Sequence, residues 1–228
     1  MLVMKRYAII VAGGSGTRFG APVPKQFVPL EGRPVLMRTI DQFHQAGNVE
    51  ILLVLPASQQ RYWHELCRQH NFDTPHTVVQ GGDSRFQSVK NALAVMHPEP
   101  GDLVAVHDGV RPLVSVELIG KIYQAAASSG AAVPVTPVTD SVRQLDGRGS
   151  SQALPRASLR AVQTPQAFDA LQLKRDYDVP CDPFFTDDAS VWERAGGQVT
   201  LVEGEITNIK ITHPVDIVVA QHLLHPHD

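Results

Sequence analysis

Between Tyr7 and Gln26 the chain reads YAIIVAGGSGTRFGAPVPKQ. Three glycines, Gly13, Gly14 and Gly16, are followed by Arg18 and, beyond a proline-stiffened connection, by Lys25. Glycines remove side chains, so backbone N–H groups can approach an anion closely. Arg18 and Lys25 bring positive charge to the same mouth. The apolar run Ala8 to Val11, just before the glycines, has the character of a strand buried on both faces. A plain glycine-rich turn has no need of those cations. Together the strand, the bare amide loop and the cations point to a nucleoside triphosphate site.

Two better-known glycine loops are excluded by inspection. The P-loop requires G-x-x-x-x-G-K-[ST], and no Gly-Lys-Ser/Thr follows Gly13 or Gly14 at the right distance. The dinucleotide fingerprint G-x-G-x-x-G fails because Phe19 stands where its last glycine belongs. What remains, G-G-x-G-T-R-x-G followed by P-K-Q, resembles the signature of nucleotidyltransferases that join NTPs to sugar or polyol phosphates.

The elements that must position these groups alternate. Pro34 sits in the first turn of a helix whose Leu36, Ile40 and Phe43 have helical spacing. Glu50 to Leu55 reads as a strand, Ser58 to Asn71 as a helix, and His76 to Gln80 as a strand ending in Gly81-Gly82-Asp83-Ser84-Arg85. A helix follows from Phe86 to Met96. Leu103 to His107 is then a strand ending in Asp108-Gly109-Val110-Arg111-Pro112. Ser115 caps a helix to Ser128, and Ala131 to Thr136 is a further strand. This alternation implies an α/β fold, a mainly parallel sheet covered on both faces, with ligands at the carboxyl ends of its strands. The glycine loop and the turns at 81–85 and 108–111 each follow a strand directly. They are therefore expected on one rim.

Residues 137–162 break the rhythm. The segment is polar, carries the hairpin-type turn signal Asp146-Gly147, and is long for a loop without a task. We read it as a two-stranded arm projecting from a single domain spanning 1–228. Beyond it, Asp169 begins a short helix, and Thr186 is expected to N-cap another with carboxylates in its first turn. For Asp187 and Asp188, complementing the helix dipole is preferred to ligating a metal. Gln198–Val202 and Ile206–Ile211 read as late strands. Pro214 opens a closing helix through Leu224.

Composition bounds the partners. With 20 Lys+Arg against 23 Asp+Glu, a net charge of −3 and pI near 6.3, neither nucleic acid nor a membrane surface is expected. No stretch approaches the ~18 apolar residues of a membrane span, and the N-terminal apolar run is too short for a signal peptide. Cys67 and Cys181 form neither a C-x-x-C pair nor a disulfide framework, which fits a cytoplasmic location. His64-Glu65 lacks the second histidine of H-E-x-x-H, so no zinc is expected.

In order along nearly the whole chain, the motifs resemble the 2-C-methyl-D-erythritol 4-phosphate cytidylyltransferase family of the non-mevalonate isoprenoid pathway. They are the glycine loop with P-K-Q, G-G-x-x-R-x-x-S-V from Gly81, and V-H-D-x-x-R-P from Val106. T-P-Q at Thr164, T-D-x-A-S at Thr186 and N-I-K at Asn208 follow. The resemblance implies a three-layer, Rossmann-like nucleotidyltransferase body, a homodimer with arm exchange, and Mg²⁺ or another divalent cation held mainly by phosphates rather than by protein. It implies that Ala12, Gly13, Gly14 and Gly16, with Arg18 and Lys25, hold the CTP triphosphate. Gly82, Asp83 and Ser88 would read cytosine and ribose, with Asp108 beside ribose and phosphates. Arg111, Thr164, Thr186 and Lys210, with Asp108, would surround the polyol phosphate. Ser141 and Arg156 would reach it from the partner's arm. Arg18, Lys25 and Lys210 would carry the catalysis. The family often has threonine where Ser141 stands, which keeps the hydroxyl. It has H-D-A-A-R-P where this chain has H-D-G-V-R-P, which leaves the backbone at Gly109-Val110 open.

The chemistry stands without the family. A phosphate monoester has a second pKa of about 6, so at neutral pH it is largely a dianion and already a nucleophile. In-line attack on the CTP α-phosphorus needs positioning and charge neutralisation rather than a general base. Two other activities fit the same motifs. One is a cytidylyltransferase acting on ribitol 5-phosphate; the other is a non-catalytic, nucleotide-sensing subunit.

Overall fold

A computed structural model of the chain describes residues 4–13 and 23–225. The apolar run after Lys5 forms strand β1 (Arg6–Val11), which lies at the middle of an eight-stranded sheet. Short strands β2 (Pro29–Leu30) and β3 (Arg33–Pro34) pair with each other and lead into helix α1 (Val35–Gln45). Next come β4 (Val49–Leu55), α2 (Ala57–Gln69), β5 (Thr77–Gln80), α3 (Arg85–Val95), β6 (Leu103–Asp108), α4 (Val116–Ser129) and β7 (Ala131–Pro137). The arm strands β8 (Arg143–Leu145) and β9 (Ser151–Ala153) follow, then β10 (Arg160–Val162) and β11 (Gln166–Asp169). The chain closes with α5 (Ala170–Asp176), α6 (Asp188–Arg194), β12 (Thr200–Glu203) and α7 (Pro214–Leu224).

The sheet order is β10-β7-β11-β6-β1-β4-β5, with β12 on β7. Strands β1, β4, β5 and β6 run parallel, as do β7 and β12, whereas β10 and β11 are antiparallel insertions. The mainly parallel α/β sheet is as expected. Alternation along β1 shows why both faces must be covered. Ala8 and Ile10 pack under α1, α2 and α4, through Ile40, Trp63 and Ile122. Tyr7 and Ile9 pack under α3, α5 and α6, through Val89, Leu173 and Trp192. That is the period-2 logic of a three-layer body.

Several expectations need correction. Pro34 is the N-cap of α1 rather than a first-turn residue. The late strand runs Thr200–Glu203, displaced from Gln198–Val202. Ile206–Ile211 forms no strand: its polar groups bond side chains and rim loops, as Asn208 does to Thr164, instead of joining a ladder. The N-cap of α6 is Asp187, not Thr186. Its carboxylate accepts the Ser190 N–H at 3.0 Å, and the Ser190 hydroxyl faces back to the Asp187 N–H in a capping box. In the arm, β8 and β9 pair as a hairpin, but Arg160–Val162 already belongs to the main sheet. Strand β11 was not anticipated.

Candidate active site

Strands β1, β5 and β6 end on the same rim, so the loops at 12–13, 81–85 and 108–111 converge there, as the alternation requires. Gly14, Gly16 and Arg18 lie outside the described residues. Around the rest, two cavities of about 250 Å³ each open side by side. The first is lined by Ala12, Gly13 and Lys25 together with Gly82, Asp83 and Ser88. The second is lined by Arg111, Thr164 and Thr186. Asp108, Lys210 and Arg85 line both. The described residues expected to hold nucleotide thus fall in the first cavity. Those expected to hold the acceptor fall in the second, save Ser141 and Arg156. These two are exposed on the arm and line neither cavity; one Arg156 Nη1 N–H is donated to the Thr139 carbonyl at 2.6 Å.

Each loop is braced from behind. Lys25 opens a single helical turn, Lys25–Phe27, and the adjacent Gln26 is almost fully buried. Its Nε2 donates to the Ala12 carbonyl and to Gln59 Oε1, both at 2.7 Å. The glutamine of P-K-Q is therefore the strut that ties the lysine turn to the end of β1. On the opposite wall, Ser84 caps α3 by accepting from the Gln87 N–H. The Gly82 N–H donates to Ser88 Oγ at 3.1 Å. A Cβ on Gly82 would stand 2.3 Å from Gln87 Cγ, so this approach of loop to helix admits only glycine.

The end of β6 is an electrostatic knot. Asp108 Oδ2 accepts from Lys210 Nζ at 3.0 Å and from Arg111 Nε at 3.2 Å. Burial pushes the Asp108 carboxyl up, but Lys210, Arg85 and Arg111 together hold it well below the usual carboxylate range. Beneath it, His107 is wholly enclosed, and burial pushes its imidazole down to about 3. A carbonyl can only accept, so the ring proton is on Nε2, donated to Arg111 O at 3.2 Å. Nδ1 then accepts the Thr164 hydroxyl at 3.1 Å, and Thr164 Oγ1 accepts the Asp108 N–H at 3.1 Å. Thr164, expected to touch the acceptor, has its hydroxyl proton committed to His107 Nδ1, while its oxygen fixes the Asp108 backbone N–H.

Lys210 arrives on a segment that has no ladder of its own. It is stitched to the rim by side chains of which Gln163, Asn208 and Glu205 had no role assigned from the sequence. Gln163 Nε2 donates to Glu205 O at 2.7 Å, Asn208 Nδ2 to Thr164 O at 2.9 Å, and Arg111 Nη1 to Asn208 O at 2.8 Å. Ser115 donates its hydroxyl to the Glu205 carboxylate. The polar runs Q-T-P-Q and N-I-K carried this signal, since buried amides demand partners. The Gly109-Val110 departure is accommodated by packing. A Cβ at Gly109 would lie 2.9 Å from Leu36 Cδ1, while Val110 packs with Leu30, Val35 and Ile211. No group of three or more His, Cys, Asp or Glu able to hold a metal occurs among the described residues.

The profile of the 2-C-methyl-D-erythritol 4-phosphate cytidylyltransferase family matches residues 6–226. A protein of that name from Bacteroides fragilis is 50% identical over 222 residues, covering 97% of this chain and 100% of its own length. One from Rubrobacter xylanophilus is 41% identical over 220 residues, covering 95% and 94%. Among solved structures, 4-diphosphocytidyl-2C-methyl-D-erythritol synthase from Anaerococcus prevotii superposes with a TM-score of 0.80 at 30% identity, over 97% of this chain and 98% of that one. The cytidylyltransferase from Thermus thermophilus gives 0.73 at 33%, with coverage of 97% and 98%. The chain belongs to the 2-C-methyl-D-erythritol 4-phosphate cytidylyltransferase family.

Proposed function

We propose that this protein transfers CMP from CTP to 2-C-methyl-D-erythritol 4-phosphate, giving 4-diphosphocytidyl-2-C-methyl-D-erythritol and pyrophosphate. Beyond family membership, the observation that carries this reading is the pair of adjoining cavities with Asp108, Lys210 and Arg85 in both walls. A two-substrate transfer needs such a junction.

CTP occupies the first cavity, with its phosphates over the Ala12–Gly13 amides and Lys25, and with Arg18 joining them. Gly82, Asp83 and Ser88 face the cytidine. The acceptor phosphate lies in the second cavity against Arg111 and Lys210, near Thr186. One of its oxygens forms a bond to the α-phosphorus as the bond to the α–β bridging oxygen breaks, and the electron pair leaves with pyrophosphate. No proton need move. Lys25, Arg18 and Lys210 act by bringing two anions together and stabilising charge on the transferring group. A phosphate-held Mg²⁺ requires only one or two protein carboxylates. Asp108, ionised and in both walls, fits that need, and the bound cation would supply further charge neutralisation.

The acceptor end is completed by a second subunit. Ser141 and Arg156 flank the exposed β8–β9 hairpin and line neither cavity of their own chain, which supports a homodimer in which the 137–162 region reaches across. The free thiols Cys67 and Cys181 are compatible with the cytoplasm, and no described helix is long and apolar enough to cross a membrane.

The test is pyrophosphate release from CTP and Mg²⁺, with methylerythritol 4-phosphate and ribitol 5-phosphate in parallel. Preference for the former is expected. Preference for ribitol phosphate would keep the mechanism and change the acceptor. Silence with both would make the protein a nucleotide-binding subunit.

A further inference from the structure

Three residues stand in the wall common to both cavities, and Arg85 is the one without a role in the reaction described above. Arg85 is the first residue of α3, on the nucleotide side, yet its side chain is tied across the site. Its Nη2 donates to Asp188 Oδ2 in the first turn of α6. Asp188 is wholly buried, and its other oxygen accepts the Tyr177 hydroxyl at 2.6 Å. The carboxylate is therefore immobile, and it holds the guanidinium beside Thr186 and Asp187, which line only the second cavity.

We infer that Arg85 binds the phosphate of the incoming polyol phosphate, with Asp188 as its positioning residue. A guanidinium carries five N–H donors in a rigid fork, and Asp188 engages one nitrogen. The Arg85 side chain is 30% exposed where Asp188 is 0%, so the cation faces the cavity while its tether does not. Among the described residues two carboxylates line that cavity: Asp108 feels the Arg85 charge but makes its ion pairs with Arg111 and Lys210, and Asp187 is occupied elsewhere. Its oxygens accept from the Ser190 N–H at 3.0 Å and from Gln166 Nε2 at 2.8 Å. Arg111 and Lys210 both lean on Asp108. Arg85 is the cation of this cavity whose ion-pair partner lies outside it, which leaves its outer edge for a dianion. Planar, doubly donating contact to phosphate is the geometry an arginine supplies and a lysine does not.

A purely structural ion pair between α3 and α6 would affect folding and leave the two substrates alike, so the test separates them. It rests on the proposed cytidylyl transfer, and wild-type turnover in the same assay reports on that reaction independently. Three proteins are compared: wild type, Arg85→Lys, and a double variant, Arg85→Gln with Asp188→Asn, which removes the buried pair without stranding a charge. In both variants KM for methylerythritol 4-phosphate is expected to rise about 10- to 100-fold, while calorimetric CTP affinity stays within about twofold. The lysine variant is expected to be the milder. An unchanged acceptor KM in either folded variant, with wild type active, would overturn the assignment. So would a CTP affinity that weakens by the same factor as the acceptor KM rises.

Discussion

Lys210 Nζ stands 3.0 Å from Asp108 Oδ2, and the two reach that contact from different kinds of structure. Asp108 ends a central strand whose backbone is fixed by Thr164 and His107. Lys210 rides on an irregular segment, and its side chain is 45% exposed against 12% for Asp108. The carboxylate is the fixed partner, and the lysine is the one able to turn to an arriving phosphate. Lys210→Ala is therefore expected to lower kcat/KM by about 10²- to 10³-fold, with little change in thermal stability, because half-exposed ion pairs contribute weakly. A variant as active as wild type would remove Lys210 from the reaction.

Lys25 acts from the other cavity, on the turn that Gln26 braces. Lys25→Ala is expected to lower kcat by orders of magnitude, of about the size seen on removing one oxyanion-type contact or more, with circular dichroism unchanged. Near-normal turnover would sink the nucleotide-site assignment. Gln26→Ala should differ, since it strips a buried strut: lower stability is expected together with weaker CTP binding.

A methyl group at Gly82 would have to displace Gln87 Cβ and Cγ, at 2.6 and 2.3 Å, which are the rooted end of that side chain. The loop must move away from α3, and the Gly82–Ser88 contact opens with it. Gly82→Ala is expected to raise KM for CTP by about 10-fold or more while the protein stays folded, because the strain falls on a rim loop rather than on the core. Unchanged CTP affinity would show that this loop does not read the nucleotide.

The parallel strands from β1 to β7, their alternation with helices, and the rim on which the site lies were legible in the sequence. Apolar runs such as Ile51–Leu55 and Val104–Val106 have only one way to be buried, between two layers of helices. What was not legible depends on partners distant in the chain. Asp187 took the capping role from Thr186 because Ser190 is placed to answer it. Ile206 to Ile211 is rich in β-branched residues like a strand, yet its backbone is drawn to the rim by Gln163 and Arg111, more than 40 residues away. Strand β11 is a four-residue segment whose register slips against β7 beyond Gln163–Pro165, and local propensity does not reveal such a slip. Arg85 could be placed on the rim from sequence, but its tether to Asp188 spans 103 positions.

His107 gives a pH dependence with a definite sign. Burial pushes its imidazole down to about 3, against an ordinary value of about 6.5. Between those limits the unfolded chain binds a proton that the folded protein refuses, so stability falls as pH is lowered, by about 1.4 kcal/mol per unit. The contribution is complete above pH ~6.5 and is lost progressively toward pH ~3. Urea unfolding at pH about 6.5, 5.5 and 4.5 should show wild type losing more stability than His107→Gln, which lacks the titrating group. Parallel losses in the two proteins would contradict a buried neutral imidazole.

The exposed arm makes a prediction that no single-subunit variant can test. If Arg156 serves the partner's acceptor cavity, an Arg156→Ala chain and a Lys210→Ala chain are each inactive as homodimers, for different reasons. In a heterodimer of the two, one site unites an intact Lys210 with an intact Arg156 from across the interface, and the other site lacks both. Mixing the variants at equal concentration and allowing subunits to exchange should therefore restore roughly a quarter of wild-type activity, since half of the dimers are mixed and each has one working site. The same mixture without exchange should stay inactive. An arm that folded back on its own subunit would leave every site short of one residue. Activity that failed to recover after exchange, in a mixture shown by mass spectrometry to contain the heterodimer, would place Arg156 in its own chain's site or outside any site.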